Sequence, residues 1–334
     1  MGGGHVARCL ALADELRNRG WRCAFATSAE TAASMPALER SGHELWALPA
    51  STLEDTEPAL MSGHWPEGAA ILIVDHYRRD AGFETACSPW AKQILVIDDL
   101  ADRPHDCDFL LDPTLGRKPG DYSRLTPTTT RLLLGPDYAL LRPEFAAARA
   151  ASLERRRREP GLRRVLLSFG STDPFDATGA CLDELTRVLP DLSVDVVLGS
   201  AAPHLDAVRR RVEQRPGTRL HVETEKMAAL MAAADCALGG AGSTSWERCC
   251  LGLPAVAAIL ADNQRGIGRA LSDTGAAVVA GEWGPTAAHF LVQELTALTS
   301  RRLAKMSNAA AAICDGTGIF RVANALDPLR QGLA

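Results

Sequence analysis

Two aliphatic runs, each closed by aspartate, restrict this chain more than any other feature. Ala70-Ile71-Leu72-Ile73-Val74-Asp75 and Ile94-Leu95-Val96-Ile97-Asp98-Asp99 show no alternation of polar and apolar residues. A strand with one wet face alternates. A run that is apolar at every position suits a strand covered on both faces, as in parallel sheets flanked by helices. Val165-Leu166-Leu167-Ser168-Phe169, residues 194–198, Cys236-Ala237-Leu238 and Ala255–Ile259 repeat the form later in the chain. Helical patterns lie between. Val6, Cys9, Leu10, Ala13 and Leu16 share one helix face, and Gly20 is the stop signal. Shorter strands are expected at 23–26 and Glu44–Leu48, with a helix between them to about residue 40. The expected fold class is α/β. Ligand sites in such sheets lie beyond the C-terminal strand ends, where Asp75, His76, Tyr77, Asp98 and Asp99 fall.

The chain of 334 residues accommodates two domains. The segment 146–160 contains Glu154-Arg155-Arg156-Arg157-Arg158-Glu159 and almost no large apolar residue. It reads as a solvated connection, 149–160, between domains at 1–148 and 161–334, rather than as an RNA-binding patch. Hydrophobic residues make up 46% and charged residues 23%, enough for two cores. Aromatics at 5% leave few stacking platforms, and a net charge of −5 argues against a nucleic-acid partner. No apolar run is long enough to span a bilayer, and no signal segment opens the chain. Nine cysteines, an odd number without a C-x-x-C pair, read as reduced thiols of a cytoplasmic protein. No His, Asp or Glu cluster has metal-ligand spacing, so neither metal nor other cofactor is expected. A monomer without a membrane partner is the expectation.

Gly239-Gly240-Ala241-Gly242-Ser243-Thr244-Ser245-Trp246-Glu247 follows a short apolar strand and opens a helix. Glycines let the backbone turn sharply, Ser243 or Thr244 can cap the helix, and free N–H groups at its start can seat a phosphate. Glu247, one turn in, would repel that phosphate but can accept from the two hydroxyls of a ribose. A plain strand–turn–helix with a cap has the same pattern.

Two α/β halves with glycine-rich loops facing a cleft resemble the GT-B glycosyltransferase architecture, of MurG type. Gly4-His5-Val6-Ala7-Arg8-Cys9-Leu10-Ala11-Leu12-Ala13 resembles the opening block of one family, the UDP-2,4-diacetamido-2,4,6-trideoxy-β-L-altropyranose hydrolases of pseudaminic acid synthesis. Val74-Asp75-His76-Tyr77, 97–105, 134–145, Ser168-Phe169-Gly170-Ser171-Thr172-Asp173-Pro174, 240–254 and Ala261-Asp262-Asn263-Gln264 continue the match in order along nearly the whole chain. Ser171 stands where the family has a glycine. The family also carries a strand before its Gly-His loop that is missing here. The expectation is a late start codon or a natural truncation, and a gap in the N-terminal sheet.

The resemblance implies a fold of two Rossmann-like domains, the last helix packing back on the first. It implies hydrolysis of a UDP-sugar by water, with inversion and UDP leaving. It makes His5, on a glycine-rich loop at a helix start, the candidate base. Histidine suits that role near neutral pH; capping or packing the loop is the structural alternative. Arg8 either holds a carboxylate or faces solvent. Tyr77 is a candidate to bind the sugar or orient the water, while a structural hydrogen bond is expected for His76. Asp98 and Asp99 either orient His5 or polarise water, and a turn-capping role for Asp98 stands equally. Gly4 lies against the sugar. Gly170, Ser171, Gly242, Ser243 and Thr244 form the diphosphate seat, Glu247 takes the ribose, and Met227 borders the uracil. Asn263 and Gln264 face the sugar. Two other readings compete: a GT-B transferase with a UDP-sugar donor, and a UDP-sugar-binding protein impaired in catalysis.

Overall fold

Every paired strand runs parallel to its neighbour, as unbroken apolar runs require. The computed structural model describes residues 3–50, 52–53 and 55–331. Two units are distinguished: Met1–Leu141 with Thr317–Ala334, and Arg142–Gly316.

Unit 1 begins with α1 (Gly3–Asn18). Gly20, at φ 86, turns the chain out of the helix, and Trp21 N–H closes back on Leu16 O at 3.0 Å. Then come β1 (Ala24–Ser28), α2 (Ala29–Ser34), α3 (Pro36–Arg40), β2 (Glu44–Leu48) and α4 (Glu57–His64). The single helix expected before residue 40 is split, because Pro36 opens a second helix and has no N–H to continue the first. The unit continues with β3 (Leu72–Val74), α5 (Ala81–Cys87), β4 (Ile94–Ile97), β5 (Phe109–Asp112) and β6 (Arg131–Leu134).

These strands make two sheets, β2-β1 and β3-β4-β5-β6. Among the described residues no strand joins β1 to β3. A cavity of about 1330 Å³ is lined by both of those edges and by His5, Cys9, Ala13 and Leu16 of α1. The expected gap in the N-terminal sheet is this one. Ile73, Leu95 and Ile97 pack with Leu12 and Leu16 of α1 on one face of the sheet. Leu72, Val74, Ile94 and Val96 pack with Met61 and Cys87 on the other. The run 70–75 yields three strand residues, since β3 is paired along one edge.

Unit 2 starts with α6 (Pro143–Arg158), where a linker was expected. Its arginines do not face solvent as a block. Arg149 donates to the carbonyls of Cys250, Ala311 and Cys314, and Arg156 to those of Met231, Ala234 and Leu251. Phe145 is fully buried at the start of this helix, and beyond it long aliphatic stems and carbonyl-capping guanidinium groups do much of the docking. The unit then alternates β7 (Arg164–Ser168), α7 (Ala177–Val188), β8 (Ser193–Leu198), α8 (Leu205–Gln214), β9 (Thr218–Val222), α9 (Met227–Ala233), β10 (Cys236–Gly240), α10 (Thr244–Cys250), β11 (Ala255–Ile259), α11 (Gln264–Asp273) and β12 (Ala277–Glu282). Helices α12 (Ala287–Thr296) and α13 (Ser300–Ala311) close it. The sheet order β12-β11-β10-β7-β8-β9 is doubly wound, with the order reversing between β7 and β10. The last helix, α14 (Gly318–Gln331), belongs to unit 1, where Ile319, Val322 and Leu326 join the core with Leu12 and Leu16. No helix among the described residues is long and apolar enough to cross a membrane.

Candidate functional site

In unit 1 the C-terminal ends of β3 and β4 meet the first turn of α1. Gly3 and Gly4 are helical there, where a loop was expected, and Gly2 lies outside the described residues. His5 and Arg8 are one turn apart and therefore face the same way. Both reach Asp75, directly after β3. His5 Nδ1 lies 2.5 Å from Asp75 Oδ1. Arg8 donates through Nη2 to the same oxygen at 2.6 Å and through Nε to Oδ2 at 2.7 Å. The Cys9 thiol donates to Oδ2 at 3.3 Å. Burial pushes the Asp75 carboxyl up, but Arg8 and His5 outweigh it and hold it well below the usual carboxylate range. An ionised Asp75 only accepts, so His5 carries its proton on Nδ1 and presents Nε2 as an acceptor. Nε2 has no partner among the described residues.

Asp99 stands on the other side of Arg8. Its Oδ2 accepts from Arg8 Nη1 at 3.2 Å and Tyr77 OH at 3.4 Å. Its Oδ1 is buried without a hydrogen-bond partner. Tyr77 sets its ring edge-on to His5, centroids 4.8 Å apart. The cluster therefore offers one unprotonated imidazole nitrogen and one unsatisfied carboxylate oxygen. Such a pair can take a proton from water and orient it.

Asp98 is placed differently. It is 1% exposed and accepts from the N–H groups of Leu100 and Ala101, from Arg103 Nη1 at 2.9 Å and from Tyr122 OH at 2.9 Å. Burial raises its carboxyl, while Arg103, Ala101 N–H and Tyr122 together bring it below the usual range. Of its two expected roles it occupies the turn-anchoring one. His76 Nδ1 accepts from Arg78 N–H at 3.1 Å, a local structural bond. Asp75, which organises the cluster, was placed at a strand end by the sequence but given no role. Arg117 was also missed; it bridges the Asp112 carboxylate and the Asp99 carbonyl.

In unit 2 the candidate positions gather where the strand order reverses. Gly170 and Ser171 follow β7 and are exposed, while Gly242, Ser243 and Thr244 follow β10. Gly239 is required by its surroundings: a Cβ there would lie 2.2 Å from Ser168 O. The N–H groups of Gly242 and Ser243 have no partner among the described residues. Ser243 takes helical backbone angles and makes no side-chain cap, so the expected cap does not form at that residue. The Glu247 carboxyl, in the first turn of α10, has no hydrogen-bond partner among the described residues. Burial pushes its carboxyl up to about 7, against the opposing pull of Arg142 and Arg248. Gln264 accepts from Leu260 N–H at 3.0 Å and packs against Gly242, so its carbonyl holds the loop after β11. Asn263 is the N-cap position of α11, and Met227 opens α9, half-buried. Among the described residues no three or more His, Cys, Asp or Glu side chains gather to hold a metal ion.

No family model matches the chain. Over 206 residues it is 31% identical to the spore coat polysaccharide biosynthesis protein SpsG of Bacillus subtilis, covering 60% of this chain and 60% of that protein's length. It is 25% identical over 233 residues to the UDP-2,4-diacetamido-2,4,6-trideoxy-beta-L-altropyranose hydrolase of Campylobacter jejuni, covering 69% of this chain and 77% of that one. Among solved structures, MurG of Acinetobacter baumannii matches with a TM-score of 0.66 at 14% identity, over 98% of this chain and 96% of the other. Identity that low speaks to architecture alone. With two parallel, helix-flanked α/β domains in one polypeptide, the chain has the GT-B fold.

Proposed function

We propose that this chain hydrolyses a UDP-linked 2,4-diacetamido-2,4,6-trideoxy sugar to free sugar and UDP, as a step of nonulosonic acid synthesis of the pseudaminic type. The observation that carries the reading is the His5–Asp75 pair, with Nδ1 held at 2.5 Å and Nε2 left as an acceptor. Sequence similarity to a hydrolase of that substrate supports it. In this reading unit 1 is the sugar side. His5 Nε2 takes a proton from water as the water oxygen bonds the anomeric carbon from the face opposite the leaving group. The bond from that carbon to the phosphate oxygen breaks, its electron pair leaves with UDP, and the configuration inverts. Asp99 Oδ1 accepts from the attacking water or a sugar hydroxyl, and Tyr77 and Arg8 hold Asp99 and Asp75 in place. Gly4 lies against the sugar.

Unit 2 is the nucleotide side. The open N–H groups of Gly242 and Ser243, with Gly170, Ser171 and Thr244, receive the diphosphate; Glu247 receives the ribose hydroxyls; Met227 borders the uracil. Asn263 contacts the sugar. Asp98 is a positioning residue that anchors the turn carrying Asp99, and Gln264 positions the loop after β11. Among the described residues the cysteines form no disulfide, which suits a reducing compartment.

A GT-B transferase that passes the sugar to an acceptor is the second reading, favoured by the architecture shared with MurG. Incubation with the UDP-sugar and no acceptor tests the choice. Equimolar UDP and free reducing sugar support hydrolysis. UDP release that waits for an added acceptor supports transfer, and UDP binding without turnover supports the loss of catalysis.

A further inference from the structure

Asp99 is held loosely through its own side chain. Its Oδ2 accepts from Arg8 and Tyr77 at 3.2 and 3.4 Å, near the limit of a hydrogen bond. Its backbone is held harder. Asp98 N–H donates to Leu111 O at 3.0 Å, and the Asp99 carbonyl accepts from Arg117 Nη2 at 3.0 Å. Further along the turn, Ala101 sits at φ 54, a left-handed conformation that is costly to an alanine. Asp98 Oδ2 keeps it there by accepting from its N–H at 2.9 Å.

Asp98 directly follows β4, and Asp112 ends the neighbouring β5. Both are at most 1% exposed. Tyr122, at the end of the short 3-10 turn Pro119–Tyr122, is fully buried and reaches both. Its OH lies 2.9 Å from Asp98 Oδ2 and 2.8 Å from Asp112 Oδ2. Arg117 completes the circuit. Its Nε donates to Asp112 Oδ2, and its guanidinium lies over the Tyr122 ring, 5.8 Å from the centroid. Hydrogen bonds therefore run from Asp98 through Tyr122, Asp112 and Arg117 to the Asp99 carbonyl, and the chain between Asp99 and Asp98 closes a ring. Bonds in such a buried network polarise and strengthen one another. One arm of the guanidinium is enough to neutralise Asp112. The other is turned to a main-chain oxygen of the residue whose Oδ1 is buried without a partner.

We propose that Arg117 and Tyr122 are positioning residues for the reaction at the unit 1 cluster: the ring they close through Asp98 and Asp112 fixes the backbone of Asp99 and so aims its Oδ1. They act through Asp99 and not on the substrate, and the inference rests on the role given to Asp99 above. Lysine cannot do the work of Arg117. Its ammonium keeps a charge beside Asp112 but has no second arm for the Asp99 carbonyl.

The full chain is assayed for UDP release from the UDP-linked sugar as parent, Asp99→Asn, Arg117→Lys and the double variant, each well below its thermal midpoint. Arg117→Lys lowers kcat roughly 10–100-fold and leaves KM and UDP affinity within about threefold. Added to Asp99→Asn, the same substitution costs less than about threefold, because no carboxylate is left to aim. Tyr122→Phe, which keeps the aromatic ring but opens the circuit, behaves in the same way. A merely structural role multiplies the two losses in the double variant. That result, or an Arg117→Lys kcat within about threefold of the parent, overturns the proposal. So does Asp99→Asn at the parent rate, which removes Asp99 from the reaction as well. A parent that releases UDP only with an added acceptor defeats the hydrolysis reading instead, and the same cycle is then read on transfer. A second readout needs no reaction. The side-chain carboxyl carbon resonance of Asp99, assigned by its loss in Asp99→Asn, moves in both Arg117→Lys and Tyr122→Phe. A resonance unmoved in either variant overturns the proposal whatever the parent catalyses.

Discussion

Replacing Asp75 by asparagine strikes the group on which the unit 1 cluster depends. The carboxylate accepts from His5 Nδ1 at 2.5 Å, from Arg8 twice at 2.6 and 2.7 Å, and from the Cys9 thiol at 3.3 Å. Asparagine keeps one acceptor and turns an NH₂ toward groups that all donate. Breaking one side of a buried ion pair costs about 3–5 kcal/mol, and the retained acceptor puts this variant near the lower figure. For a unit of this size the midpoint then falls by about 6–12 °C. The effect on rate is separate. Facing an amide N–H, His5 turns its acceptor to Nδ1 and its proton to Nε2, so it no longer takes a proton from water. A misassigned tautomer of this kind lowers kcat by roughly 10²–10⁴-fold. UDP release followed by a coupled assay at a temperature well below the midpoint isolates that loss from unfolding. UDP affinity by calorimetry holds, since its seat is assigned to unit 2. A variant within about threefold of the parent rate would refute the reasoning that Asp75 sets the base.

Glu247→Ala lowers UDP affinity roughly tenfold or more at pH 8, on the loss of a charge-assisted hydrogen bond of ~1.5–3 kcal/mol; unchanged calorimetric affinity rejects the ribose assignment. Because burial raises the Glu247 carboxyl to about 7, parent UDP affinity climbs as pH rises through that value and the carboxylate forms, whereas the Glu247→Gln titration stays flat. The same raised value makes the folded state bind the extra proton, so this residue's contribution to stability falls as pH rises from the ordinary glutamate range through about 7. Gly239→Ala places a Cβ 2.2 Å from Ser168 O; chemical denaturation should show a loss of at least ~1–3 kcal/mol, and an unchanged midpoint contradicts the packing. Ser171→Ala leaves UDP affinity within about threefold, since the seat uses backbone N–H groups; a larger loss assigns the hydroxyl a direct contact.

The strands that were legible are those whose burial is written as an unbroken run. Ile94-Leu95-Val96-Ile97 is buried at every position and became β4 as expected. Phe109-Leu110-Leu111 is just as buried, yet it is bounded by Asp108 and Asp112 and too short to register as a strand. The arginines of α6 read as solvated because composition cannot tell a guanidinium in water from one that caps carbonyls; Ser152, on the same helix, is also buried and bonded to Leu251 O. His5 and Asp99 were legible as chemistry at a helix start and a strand end. Their geometry was not, because Asp75 lies 70 residues from His5 and nothing local pairs them. The two sheets of unit 1 were legible as a gap, while the size of the cavity between their edges comes from the packing of α1, α3 and α4 around it.

The central claim, that water and not an acceptor receives the sugar through His5, is tested most directly with the UDP-linked 2,4-diacetamido-2,4,6-trideoxy sugar in heavy-oxygen water. Parent and His5→Asn chains are run side by side, with UDP binding measured on both. The account predicts heavy oxygen on the anomeric carbon of the free sugar, none in UDP, and a rate lower by ~10²–10⁴-fold in His5→Asn at undiminished UDP affinity. Label in the UDP phosphate, or a His5→Asn rate within about threefold of the parent, would contradict it.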